Sequence, residues 1–143
     1  MTPITLSVAL TRIAVSLLLG AAIGVERQVH KHPAGFRTFT LICLASTLAM
    51  LVSIYVCQAN TDLHNGDPGR IAAQVLTGVG FIGAGLIIKG QDGVSGITTA
   101  SCIFVCAVIG LAVGCGMLLE SAIITAVVVA VLISSNYFKR KKE

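Results

Sequence analysis

Five apolar stretches fill most of the chain, and each is long enough to be solvated by lipid rather than by water. They run over 6–25, 38–57, 71–88, 97–114 and 117–138. A helix rises 1.5 Å per residue, so a hydrocarbon core of about 30 Å takes about 20 apolar residues. The two shortest stretches reach about 27 Å, sufficient with little tilt. Lipid offers the backbone no hydrogen-bond partners, so such runs are expected to be helical. The breaks between them are short. His30-Lys31-His32-Pro33 and Asn65-Gly66-Asp67-Pro68 carry proline, Gly90-Gln91-Asp92-Gly93 reads as a turn, and Gly114-Cys115-Gly116 alone separates the last two. The expected fold is an all-α membrane protein, one transmembrane domain over residues 1–143 built as a bundle of about five helices. Only 11% of residues are charged, against about a quarter in soluble domains.

The basic residues are distributed unevenly along this pattern. With five spans, Arg27, Lys31, Arg37, Lys89 and the run Lys139-Arg140-Lys141-Lys142 fall on one side, and Arg12 and Arg70 on the other. The positive-inside bias then places the N-terminus outside and the C-terminus in the cytoplasm. The net charge of +4 does not point to nucleic acid, because no basic stripe interleaves with aromatic residues. The terminal basic run follows an apolar helix and reads as an anchor on anionic headgroups of the lipid bilayer. The first residues lack a basic n-region and a small-residue cleavage site, so no removable signal peptide is expected. Five cysteines, an odd number set in or beside apolar runs, argue against a disulfide framework. Cys102 and Cys106 lie one turn apart without a nearby His or acid, which suits small apolar filler better than a metal pair.

Small residues recur at four-residue spacing in Gly20-xxx-Gly24, Ala45-xxx-Ala49-xxx-Ser53 and Gly110-xxx-Gly114. Helices in lipid associate through close backbone approach and dispersion, so these faces are expected to pack either within the bundle or between copies of the chain. The third stretch spells GxGxxG at Gly78-Val79-Gly80-Phe81-Ile82-Gly83. A dinucleotide fingerprint needs a preceding strand and a helix that starts at the glycines. Here the apolar run begins before them and continues past Gly85. Gly78, Gly80, Gly83 and Gly85 are therefore read as packing positions or a loosened helix lining a cavity, and no cofactor is expected.

Two polar clusters are candidates for function. Asp67 suits an N-cap, Pro68 a first helical position, and Arg70 and Gln74 share a face that continues to Gly78. Arg12 sits at a similar depth in the first helix. The expectation is a cluster of Arg12, Asp67, Arg70 and Gln74 under the outer surface, the alternative for Arg12 being a side chain that snorkels to the interface. On the cytoplasmic side Glu26, Arg27 and Arg37 stand near Lys89, with hydroxyls from Thr98 and Thr99. The alternative there is that interfacial charges only fix helix ends.

Arg12 with Gly20-Ala21-Ala22-Ile23-Gly24-Val25-Glu26-Arg27, then Pro33-Ala34-Gly35-Phe36-Arg37-Thr38, resembles the start of the MgtC/SapB family of bacterial membrane proteins. The stretch from Asp67 to Gly85 looks like that family's most distinctive segment, and Gly96-Ile97-Thr98-Thr99-Ala100 and Ile109-Gly110-Leu111-Ala112-Val113-Gly114 continue the match in order. The resemblance covers residues 10–135, the transmembrane part alone. It implies a multi-pass protein of the bacterial inner membrane, linked to magnesium limitation and, in pathogens, to survival inside hosts. Many members carry a soluble cytoplasmic domain after the last span, whereas this chain stops at Glu143, which leaves regulation through such a domain in doubt here.

The functional expectation is a regulator acting on another membrane protein, with a transporter or channel component for Mg²⁺ or another small solute as the alternative. Mg²⁺ is usually held by carboxylates and retained waters. The acids near the spans, Glu26, Asp67, Asp92 and Glu120, all lie away from mid-membrane, so metal ligands stay unassigned. Five helices would need an oligomer to form a pore. No nucleophile–base pair or metal set has convincing spacing, so no enzymatic activity is expected.

Overall fold

The apolar stretches are helical in the computed structural model, which describes residues 4–59, 67–91 and 93–140, with side chains as far as residue 134. Five helices follow one another: α1 (Leu6–Val29), α2 (Phe36–Ala59), α3 (Gly69–Ala84), α4 (Ile97–Cys115) and α5 (Leu118–Arg140). By length and composition α1, α2 and α4 can each cross a membrane. The short strands β1 (Ile88–Gly90) and β2 (Gly93–Ser95) pair antiparallel between α3 and α4.

That hairpin is where the chain departs most from its apolar pattern. The third stretch was read as one run to residue 88, but α3 has 16 residues and ends at Ala84. Gly85 and Leu86 close the helix with N–H bonds to Phe81 and Gly83 carbonyls. The β-branched Ile87 and Ile88 then enter the hairpin with Val94 opposite Lys89. Gly96 follows at φ +87°, and a side chain there would collide with the Leu86 carbonyl. Only glycine satisfies both conditions, so the turn into α4 can sit directly against the end of α3.

Other helix ends are legible locally. At the end of α1 the Lys31 N–H bonds to the Gln28 carbonyl (3.0 Å) and the His32 N–H to the Arg27 carbonyl (3.1 Å). This is a Schellman arrangement, with Lys31 in the left-handed position at φ 57° where glycine is more usual. Gln28 Oε1 accepts the Phe36 N–H and so caps α2. The start of α3 shifts by one residue from the expected register: Pro68 rather than Asp67 is the N-cap, and Asp67, one residue before it, accepts the Gly69 N–H on its Oδ1 at 2.7 Å.

Helices α2 and α4 form the centre. α1 packs on both of them and on α5, while α3 packs on α2 and α4 and has at most marginal contact with α1. The core is made by Ile23, Phe39, Cys43, Ile103, Cys106 and Val113, all essentially inaccessible. Helices α1 and α4 each present to α2 a ridge of small residues at four-residue spacing, which lets axes approach closely. On α1 the ridge is Ser16, Gly20 and Gly24; on α4 it is Cys102, Cys106, Gly110 and Gly114, all buried. A Cβ on Gly20 would lie 2.8 Å from Cys43 Cβ, and one on Gly24 2.7 Å from the Phe36 Cα. Gly110 and Gly114 meet α2 in the same way at Cys43, Ser46, Thr47 and Met50.

The other expected packing glycines divide. Gly83 makes an ordinary contact with Ala100, and Gly85 closes its own helix. Gly78 and Gly80 have open space where a side chain would be, so they pack against none of the described residues. The small-residue face drawn on α2 also shifts: Ser53 is buried but Ala45 is exposed, and α2 meets α4 along Phe39, Cys43, Thr47 and Met50 instead. Periodicity alone does not select between adjacent stripes when nearly every residue is apolar.

These differences predict opposite responses to the same substitution. Gly110→Ala and Gly24→Ala should destabilise the bundle by about 1–3 kcal/mol through overpacking. Gly78→Ala and Gly80→Ala should be neutral or stabilise α3 by about 0.5–1 kcal/mol. Thermal unfolding in detergent micelles checks the contrast.

Candidate functional site

The most unusual chemistry lies at the end of α1. Glu26 and Arg27 are 7% and 2% exposed, although they are consecutive residues of a helix, whose side chains normally diverge by about 100°. Both are nonetheless turned into the interior. Arg27 Nε donates to Glu26 Oε2 at 2.6 Å and Arg27 Nη2 to Glu26 Oε1 at 3.3 Å, a two-pronged pair. His30 closes the group from one turn on, its Nδ1 lying 3.1 Å from Glu26 Oε1 and 2.9 Å from the Glu26 carbonyl oxygen. Cys102 of α4 is within electrostatic reach of both charges. Thr99, one turn before it on the same face, is 3% exposed. Of the expected cytoplasmic-side set, then, Glu26, Arg27 and Thr99 turn inward, while Arg37 and Thr98 are exposed.

A buried pair of this kind contributes little beyond its own desolvation, but removing one partner strands the other charge. Glu26→Gln or Arg27→Gln alone should therefore cost about 3–5 kcal/mol. The double variant Glu26→Leu/Arg27→Met should be closer to the parent than either single. Unfolding midpoints of the four proteins test this coupling.

The expected outer cluster does not assemble. Arg12 points to the end of α4, its Nη1 donating to the Gly114 carbonyl at 2.7 Å. That carbonyl is one of the acceptors a helix end leaves without an internal partner, and the guanidinium also complements the negative end of the α4 dipole. Gly116 sits beside it at φ +99°, a backbone conformation that disfavours any side chain, and a Cβ there would lie 2.8 Å from Arg12 Nη2. Asp67 stays with its own helix, Arg70 and Gln74 are exposed, and the Ser53 hydroxyl ties α2 to the Pro68 carbonyl at 2.8 Å. Arg12 and Asp67 form no ion pair, because α2 and α4 stand between α1 and α3. Reversing Arg12 and Asp67 together should accordingly perform no better than the worse single reversal, measured as the amount of folded protein in the membrane.

One polar feature had no counterpart in the sequence reading. Thr47 Oγ1 lies 2.8 Å from both Ser16 Oγ and the Gly110 carbonyl oxygen. A hydroxyl carries one proton, so the satisfied arrangement has Thr47 donating to the Gly110 carbonyl and accepting from Ser16. This links α1, α2 and α4 in their fully buried middle. Beside it Cys106 Sγ donates to the Phe39 carbonyl at 3.3 Å and touches Cys43. Ser16 continues the Gly20–Gly24 ridge one turn toward the N-terminus, the signal that could have found it. Cys43, Cys102 and Cys106 are buried packing groups, as their setting implied, whereas Cys57 is half-buried and Cys115 exposed. Among the described residues no group of three His, Cys, Asp or Glu side chains is placed to hold a metal ion.

Five helices around a polar-linked apolar centre, three of them long enough to span, define a helical membrane protein. The chain belongs to the MgtC family, whose pattern matches residues 13–141. It is 48% identical over 108 residues to the putative magnesium transporter YhiD of Escherichia coli K12, covering 74% of this chain and 50% of that one. Protein SapB of Bacillus subtilis is 37% identical over 115 residues, 78% of this chain and 50% of the relative. Protein MgtC of Brucella abortus is 36% identical over 121 residues, 83% and 48% respectively. The chain thus spans about half the length of these curated relatives. No solved structure matches it.

Proposed function

We propose that the chain is a multi-pass protein of the bacterial inner membrane, N-terminus outside and C-terminus in the cytoplasm, that regulates another membrane protein by docking beside it. The observation that supports this reading is the outward face of α3. Ala72, Val75, Leu76, Val79 and Gly83 form its inward, more covered stripe, whereas Gln74 and Phe81 stand outward, Phe81 at 86% exposure. Gly78 and Gly80 beside them leave backbone accessible. In lipid an outward amide is better satisfied by a protein partner, and glycines let a second helix approach closely. The magnesium association of the family supplies the context in which such a regulator would act.

A second reading, a transporter or channel component for Mg²⁺ or another small solute, is favoured by the name of the Escherichia coli relative. One pair of measurements separates the two. A photo-crosslinking amino acid at position 81 should capture a defined membrane protein in cells, and Gly78→Leu or Gly80→Leu should reduce the yield several-fold. The purified chain in liposomes should pass no Mg²⁺. Flux through the chain alone that Arg70→Ala abolishes would instead establish transport.

A further inference from the structure

An open cleft of about 270 Å³ lies beside the start of α1, lined by Ser7, Val8, Thr11, Arg12, Gly116 and Leu118. Its single charge is the half-buried Arg12 guanidinium. One of that group's five N–H donors is used on the Gly114 carbonyl, and Arg12 has no acidic partner in any ion pair of the described residues. A guanidinium held between helices about 9 Å below the start of α1 is costly in a bilayer without a counter-charge.

The surroundings favour an anion. Ser7 and Val8 belong to the first turn of α1, and Leu118 opens α5, so the cleft lies where two helices begin. Unbonded backbone N–H groups and the positive ends of two dipoles gather there. The opposing feature, the negative end of α4, is already engaged by Arg12. Glu120 lies two residues beyond Leu118, about 200° round α5 and away from the cleft lining. Thr11 Oγ1 donates to the Ser7 carbonyl, and Ser7 Oγ shares a bond with Thr5 Oγ1 at 3.1 Å. Apolar Val8 and Leu118 complete a wall suited to the glycerol and first methylenes of a lipid.

We propose that this cleft binds a phosphoryl oxyanion through Arg12, supplied by the headgroup of a phospholipid. The anion neutralises a guanidinium that simultaneously staples the α4–α5 turn to α1, so occupancy and the hairpin are coupled through one side chain.

The test is native mass spectrometry of the full chain released from detergent in the presence of phosphatidylglycerol, diacylglycerol or inorganic phosphate. The parent should retain phosphatidylglycerol at least about tenfold better than diacylglycerol, the scale of one charge-assisted hydrogen bond. Arg12→Gln should lose that preference. Because that change also removes the Gly114 bond, Val8→Trp provides the second variant: it fills the cleft, keeps Arg12, and should abolish retention while the unfolding midpoint stays put. Displacement of the lipid by millimolar inorganic phosphate would identify free phosphate as a sufficient ligand; resistance to it would assign the site to the headgroup with its chain. Equal retention of phosphatidylglycerol and diacylglycerol by the parent, or undiminished retention by a folded Val8→Trp protein, overturns the proposal.

Discussion

The close approach of α1 and α4 to α2 is the contact on which the rest of the molecule depends. Helices in lipid gain nothing from hiding apolar surface from one another, since the tails outside are as apolar as the neighbours inside. What holds them is dispersion at short range and the few hydrogen bonds that short range permits. Gly20 and Gly24 allow α1 to lie on Phe36, Phe39, Thr40 and Cys43, and Gly110 and Gly114 do the same for α4 on the other side of α2. The Ser16–Thr47–Gly110 link is possible only because the three backbones are already close. Hydrogen bonding here follows from packing and then specifies it, because a slide by one turn would leave a buried hydroxyl and carbonyl unmatched.

The charged residues follow a related logic at the two ends of the bundle. At one end Glu26 and Arg27 satisfy each other inside the protein, with the exposed His30 beside them, so the end of α1 can be buried against its neighbours. At the other end Arg12 serves a helix terminus rather than a carboxylate. Each arrangement fastens α1 to the centre, and neither uses the charge partner that position along the chain would suggest. The polar groups of α3, by contrast, are turned outward, and with them Gly78, Gly80 and Phe81. The molecule therefore has a tightly fastened part, α1, α2 and α4, and a more loosely covered one, α3 with its hairpin.

Membership of the MgtC family sets that division against relatives about twice as long. The matched half contains both the fastened centre and the glycine-rich third helix. This half holds interior polar links and one face of α3 that no described residue covers.

Apolar length, charge asymmetry and the small-residue repeats determined by themselves that this is a helical membrane bundle, because a bilayer dictates span length and helicity almost independently of neighbours. Glu26, Arg27, Gly20, Gly24, Gly110 and Gly114 were legible as positions that matter for the same reason: charge and missing side chains are conspicuous in an apolar run. Their partners were not. Arg12 and Asp67 share a depth in the sequence but are separated by α2 and α4, and only the packing order decides which helices are neighbours. The ends of α3, the inward turn of adjacent Glu26 and Arg27, and the open space at Gly78 and Gly80 were likewise decided by the tertiary structure. Each depends on what stands opposite a residue, and a one-dimensional pattern records depth and face but not the occupant across the gap.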